Sequence, residues 1–269
     1  MHTVSLYLEF LAFNGLAHAS IVNHVCGVKF YLRWFDISVE AFESHRVKLM
    51  LKALSKTVVS HCKQKGIFHV KTLTNIVLLT RLHPYSEVYT VLYLFAFFGF
   101  FRISNLVPVS TLKFEVKKHL CVGDVLVFPT HLVVLIKWPK TIQSSQNATY
   151  IILPKLRDPT ICPWIAFNNL KPLLPNSPNA PLFAINQLPC TELMVRSHLK
   201  KILTTLGLDL ATHSFHTFRR SGATLAFNLG VDMCNIKRHG TWRSDSVYKY
   251  IVTDPTHASG VATTFQCNL

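Results

Sequence analysis

Fourteen consecutive uncharged, largely apolar residues, Val88–Phe101 (V-Y-T-V-L-Y-L-F-A-F-F-G-F-F), end abruptly at Arg102. A membrane-spanning helix needs ~20 such residues. A shorter helix that is apolar all round is stable only when other elements cover every face. The run therefore predicts a buried core helix inside a domain large enough to wrap it. The chain supplies the material: 269 residues, 49% hydrophobic and 12% aromatic, which excludes general disorder. That length admits one large domain or two ordinary ones, at ~100–200 residues each. The N-terminus lacks a basic segment, apolar run and small-residue cleavage site in series, so no signal peptide is expected.

The charge narrows the choice of partner. Lys and Arg number 28 against 13 Asp and Glu, a net charge of +15 in a chain only 15% charged. The excess thus comes from scarcity of acid. It predicts a polyanionic partner, nucleic acid first and an acidic membrane surface second; with no spanning run, no membrane partner is expected. Seven cysteines (Cys26, Cys62, Cys121, Cys162, Cys190, Cys234, Cys267) are scattered, with no two at zinc-ligand spacing. Neither a disulfide framework nor a metal site is expected, and a reduced intracellular compartment fits this usage.

Residues 1–65 read as helical, with apolar positions near helical spacing from Leu6 to Phe13 and from Ile21 to Phe35. Arg46, Lys48, Lys52, Lys56, Lys63 and Lys65 make the most basic stretch, without one acid. Lys48, Lys52 and Lys56 would form one stripe on a helix, either a solvated face or a grip on phosphates. Gln64-Lys65-Gly66 marks a boundary, with eight bases and four acids before residue 66 and twenty and nine after it. Helices are predicted over Thr72–Arg81 and Ser86–Phe101. Short β-branched runs at Leu120–Phe128, His131–Trp138 and Thr149–Leu153 predict an antiparallel meander. The proline-rich Pro154–Pro189 reads as a connector with one short helix near Trp164–Leu170. Further helices are predicted over Glu192–Leu206, Phe218–Leu229 and Met233–His239, and around Ser246–Val252. The expected fold class is mainly α with a small antiparallel β-meander (α+β).

Three local patterns carry chemistry. In His216-Thr217-Phe218-Arg219, positions i and i+3 at a helix start face one ligand. A guanidinium there can fork two phosphate oxygens, and an imidazole can hold geometry or move a proton. Arg102 closes the apolar run in R-I-S-N-L, where capping of helix-end carbonyls is the ordinary alternative. Gly240-Thr241-Trp242 precedes Tyr248-Lys249-Tyr250-Ile251, aromatics that elsewhere serve merely to dock a terminus.

In this order and spacing, the boxes R-I-S-N-L, W-P-K-T-I-Q, H-T-F-R, G-T-W and Y-K-Y-I resemble those of tyrosine recombinases of the phage-integrase type. They are most similar to the Crypton and DIRS-like mobile-element branch. The resemblance spans about Thr72 to Ile251. It implies a helical core-binding, DNA-gripping domain at residues 1–65, in shortened form, and a catalytic domain at residues 66–269. It also implies roles: Arg102, Arg219 and Trp242 on the scissile phosphate; Lys140, with Lys137 as neighbouring alternative, as proton donor to the leaving oxygen. His216 would orient the nucleophile or accept its proton. Tyr250 is the implied nucleophile, with Tyr248 as alternative, and His239 is the alternative to Trp242. Asn105 stands where many members carry an acid. The implied activity is metal-free, cofactor-free cleavage and rejoining of double-stranded DNA through a 3′-phosphotyrosine, by a homo-oligomer on DNA, in the nucleus if the cell is eukaryotic. The alternative is a domesticated, catalytically silent DNA-binding protein.

Overall fold

The computed structural model describes residues 2–57, 65–137 and 149–252. The architecture is mainly α with a small antiparallel sheet, and the chain divides into two compact units, Met1–Lys63 and Gln64–Leu269.

In the first unit, helices α1 (His2–Phe13), α2 (His18–Trp34), α3 (Glu40–Glu43) and α4 (His45–Thr57) enclose Val4, Leu8, Leu11, Ile21, Val25 and Val47. Gly15, at φ +74°, supplies the left-handed turn that ends α1. Glu43 ties the end of α3 back to α2 through Lys29 and Arg33, each at 2.9 Å.

The second unit is built around α6 (Ser86–Phe98), preceded by α5 (Val70–Thr80). Val91 to Ala96 are all fully buried. The apolar run therefore does what its composition predicts, each large side chain contributing about 1.5–3 kcal/mol by burial. Its aromatic side chains reach several neighbours. Phe95 meets Phe167 of α8 (Pro163–Leu170) and Phe183, both at 6.2 Å between ring centres, while Tyr93 stacks on Phe218 of α10 (Phe215–Asn228) at 5.0 Å. The Tyr93 hydroxyl is satisfied by Nδ1 of His198, on α9 (Glu192–Thr205), at 2.7 Å.

Strands β1 (Val125–Val127), β2 (His131–Ile136) and β3 (Thr149–Pro154) form an antiparallel sheet in chain order, with Val134 opposite Val125 and Ile151. Alternation turns Leu132, Val134, Ile136, Ile151 and Leu153 inward and leaves Leu126, Tyr150 and Ile152 exposed. The first strand is shorter than expected because Val122–Asp124 turns as a 3₁₀ helix, held by the Asp124 carboxylate on the Cys121 amide at 2.7 Å. The connector also contains a hairpin of β4 (Ala184–Ile185) and β5 (Leu188–Pro189), turned by Asn186 and Gln187 at positive φ. Helix α11 (Met233–His239) and a 3₁₀ turn at Asp245–Lys249 complete the unit. No helix among the described residues is long and apolar enough to cross a membrane.

Candidate active site

Helix α6 stops at Gly99, whose amide bonds the Phe95 carbonyl at 2.8 Å. Phe100 then takes φ +51°, a left-handed kink that L-residues rarely adopt. Arg102 follows at the N-cap of the short helix α7 (Ile103–Leu106). Asn105, buried, accepts the Arg102 amide on its Oδ1 at 3.3 Å. At this position an amide side chain fixes the turn that presents Arg102.

Helix α10 begins three residues before its expected start. Ser214 caps it by exchanging hydrogen bonds with Thr217, whose Oγ1 accepts the Ser214 amide at 2.9 Å. His216 thus falls in the first turn, with Arg219 one turn on and 2% exposed. The Arg219 guanidinium donates from Nη1 to the Phe100 carbonyl and from Nη2 to the Gly240 carbonyl, the latter at 2.6 Å. One side chain therefore fastens the turn before Arg102 and the turn before Trp242. Thr241, between Gly240 and Trp242, is at φ +55°, costly for a β-branched residue. The kink folds the indole back over Gly240, where any Cβ would run into the ring. That close approach is the physical reason for glycine in G-T-W. The Trp242 ring lies over the Arg219 guanidinium at 3.8 Å, a cation–π stack.

The 3₁₀ turn at Asp245–Lys249 delivers Tyr250 to this assembly. Its hydroxyl lies 2.9 Å from His216 Nε2, and its ring packs edge-on against Trp242 at 5.1 Å. Arg219 lies 5.6 Å from the same ring. His216, Arg219, Trp242 and Tyr250 thus meet in one place, with Arg102 close enough for its charge to act on both His216 and Arg219. Three N–H donors here are buried without an acceptor among the described residues: Arg102 Nη1, Arg219 Nε and Trp242 Nε1.

The alternatives make other contacts. Tyr248 is 59% exposed. His239 is bound through Nε2 to the Phe98 carbonyl at 2.8 Å and packs on Phe100. Lys137 is held 2.6 Å from the Asp124 carboxylate and bonds the Val116 carbonyl, so it pins the sheet to the preceding loop. Lys140 and Lys63 lie outside the described residues. Arg46, Lys48, Lys52 and Lys56 are all exposed along α4, whereas Lys65, also exposed, belongs to the second unit.

The sequence matches no protein-family model, and no curated protein matches it significantly. Solved structures do match. The Tn1549 transposon integrase in complex with transposon right end DNA superposes with a TM-score of 0.63 at 15% identity, over 97% of this chain and 82% of that one. The XerH site-specific recombinase in its post-cleavage complex gives 0.57 at 14% identity, over 77% of this chain. The chain spans 55% of the length of that XerH structure. XerA recombinase gives 0.52 at 14% identity, over 97% of this chain and 83% of that one. The chain has the tyrosine-recombinase fold.

Within that fold the electrostatics of the site follow from burial among cations. Desolvation, then Arg219, Arg220, Arg102 and Arg196, push the His216 pKa down to about 4, so the imidazole is neutral at pH 7. Desolvation and the Arg102 charge lower Arg219 to about 9, with Tyr250 working the other way; it stays charged at pH 7. A neutral imidazole at 2.9 Å from a phenol, beside fixed cations, can take the phenol's proton in the tautomer that leaves Nε2 unprotonated, and the cations can stabilise the anion. Sequence reasoning missed the parts that hold this arrangement together. The Phe100 and Gly240 carbonyls are backbone groups and leave no mark in side-chain patterns. Thr224, two helical turns beyond His216 on α10, bonds the Tyr250 carbonyl and the Val252 amide, again main-chain groups.

Proposed function

We propose that the protein is a tyrosine recombinase that cleaves and rejoins DNA through Tyr250. The observation that carries this reading is the pairing of His216 and Tyr250 at 2.9 Å beside three buried, unpartnered N–H donors. Each such donor costs about 1–3 kcal/mol without a partner. A phosphodiester supplies the acceptors, and its charge matches Arg102 and Arg219. The Tyr250 oxygen attacks phosphorus while its proton passes to His216 Nε2. The bond from phosphorus to the 5′-oxygen breaks, leaving a 3′-phosphotyrosine. By the family resemblance, Lys140 protonates the departing 5′-oxygen. Attack by a 5′-hydroxyl on the phosphotyrosine reverses these steps and restores the tyrosine. Trp242 Nε1 and the arginines hold the non-bridging oxygens, where charge builds in the transition state.

The exposed row Arg46, Lys48, Lys52 and Lys56 supplies grip on the DNA backbone, with Lys63 and Lys65 continuing it along the chain. The fold shared with recombinase and integrase structures solved with DNA supports DNA as partner; a homo-oligomer as the working form rests on the family resemblance. The core-binding role of residues 1–65, the catalytic role of residues 66–269, the Crypton and DIRS-like branch and a nuclear setting rest on the sequence motifs. A second reading, a silent DNA-binding descendant, is favoured by one observation: each terminal nitrogen of Arg219 spends one of its two N–H groups on a backbone carbonyl.

A pool of nicked suicide duplexes with randomised cores separates the two. The recombinase reading expects a denaturation-resistant protein–DNA adduct with the wild-type chain and with Tyr248→Phe, and none with Tyr250→Phe. Binding without any adduct supports the silent descendant. An adduct that survives Tyr250→Phe and is lost with Tyr248→Phe moves the nucleophile to Tyr248.

A further inference from the structure

Tyr250 stands at the end of a short 3₁₀ turn, and Ile251 and Val252 after it belong to no helix or strand. The His216 contact and the neighbouring rings locate the phenol, but something must also fix the main chain from which it projects. Thr224 on α10 meets that need. Its Oγ1 donates to the Tyr250 carbonyl at 3.2 Å and accepts the Val252 amide at 3.2 Å. One hydroxyl thus brackets Ile251 from both sides, using its single donor and one lone pair. Thr224 is 2% exposed, so water does not compete for either bond.

We propose that Thr224 is a positioning residue for the nucleophile, an inference that rests on the recombinase reading above. His216 and Thr224 are eight residues apart on one helix, about 12 Å along its axis. Helix α10 therefore holds Tyr250 at two points, the phenol oxygen at its N-terminal end and the main chain two turns on. The separation of those points sets how far the oxygen reaches toward phosphorus. Attack needs the reacting atoms within about 3–3.5 Å, and a displacement of about 1 Å can cost about 10²-fold in rate. The hydroxyl bonds main-chain groups, the Tyr250 carbonyl and the Val252 amide, so its effect belongs to the chemical step and not to DNA affinity.

The test uses the full chain and a duplex recovered from the randomised pool. Thr224→Val removes the hydroxyl at nearly constant shape, and Thr224→Ser keeps it. The expected result is adduct formation at saturating DNA slowed about 10²-fold by Thr224→Val, with DNA affinity unchanged and the rate restored to within a few-fold by Thr224→Ser. Should Thr224→Val melt below the assay temperature, Thr224→Ala against Thr224→Ser gives the same comparison, because both lack the γ-methyl and differ in the hydroxyl. Equal rates with and without the hydroxyl overturn the proposal, as does a loss in DNA affinity that accounts for the whole effect. If the wild-type chain forms no adduct, the recombinase reading itself fails, and this role falls with it. Wild-type cleavage that is indifferent to Thr224 overturns the positioning role alone.

Discussion

Trp242 combines an indole ring that covers the Arg219 guanidinium with an Nε1–H that meets no acceptor among the described residues. Trp242→Phe separates these roles, because a phenyl ring still covers the cation but donates nothing. Loss of one donor from a charge-stabilising site costs about 10²–10³ in rate; a drop of that size in adduct formation, with little change in melting temperature, is expected. His216 gives a second prediction at this scale. With its pKa pushed down to about 4 by burial and surrounding arginines, the imidazole remains a base well below the ordinary histidine value of ~6.5. The rate of adduct formation should therefore persist to about pH 5 and fall as pH drops toward 4. A rate–pH profile on one suicide duplex checks it, and a midpoint near 6.5 would contradict the buried environment. That His216, Arg219, Trp242 and Tyr250 would meet was an expectation from the resemblance of the boxes H-T-F-R, G-T-W and Y-K-Y-I. What they bond to was not legible. The kinks at Phe100 and Thr241 exist because distant segments meet, and neither residue type announces a positive φ.

Among the elements, α10 is the one on which the site depends, and its contact with α6 passes through Gly222. A Cβ there would strike the Phe97 carbonyl and the Phe100 ring. Gly222→Ala forces the two helices apart and should destabilise the second unit by about 1–3 kcal/mol, read as a lower denaturation midpoint. Helix α9 packs a buried titratable group against the tyrosines of α6. His198 stacks on Tyr89 at 4.0 Å and bonds the Tyr93 hydroxyl; desolvation, then His83 and Lys201, bring its pKa down to about 4. The unfolded chain, with histidine near ~6.5, binds more protons than the native state between those values. Stability should therefore fall as pH drops from about 6.5 toward 4 and change little on this account above it. Chemical denaturation at several pH values tests this, and His198→Asn, which does not titrate, should lose part of the slope. At this scale the sequence spoke unevenly. The long apolar run marked α6, and β-branched alternation marked β2 and β3. The β4–β5 hairpin is two residues a side and turns on Asn186-Gln187, without the glycine that usually marks such turns. The early start of α10 rests on a Ser-Thr capping pair where a Glu or Gln would have been easier to read.

For the whole molecule, the surplus of cations makes ionic strength the sharpest control on partner binding. Lys48, Lys52 and Lys56 are exposed on α4, and each phosphate contact they make adds about 0.9 to the slope of log affinity against log salt. Replacing all three by alanine should shallow that slope by up to about 3, measured by fluorescence anisotropy on duplex DNA between about 50 and 200 mM salt. An unchanged slope would assign the grip to other cations. Net charge was fully legible from composition. How the cations divide was only partly so: Lys137, the neighbouring alternative to Lys140 in the sequence motif, is paired with Asp124.

Arg219 gives mutational data on this molecule a particular meaning. Its Nη atoms anchor two left-handed turns, while its buried Nε meets no acceptor among the described residues and, on the proposed function, would serve the phosphate. On that reading an Arg219 substitution would delete an anchor and a phosphate contact together, so its cost would be a composite. The worth of a single proposed phosphate contact would be read more cleanly from Arg102, since the Trp242 ring also packs on Arg219 and Tyr250. In this site chemistry and architecture share one side chain, and a cycle built on Arg219 would report their coupling instead of either part.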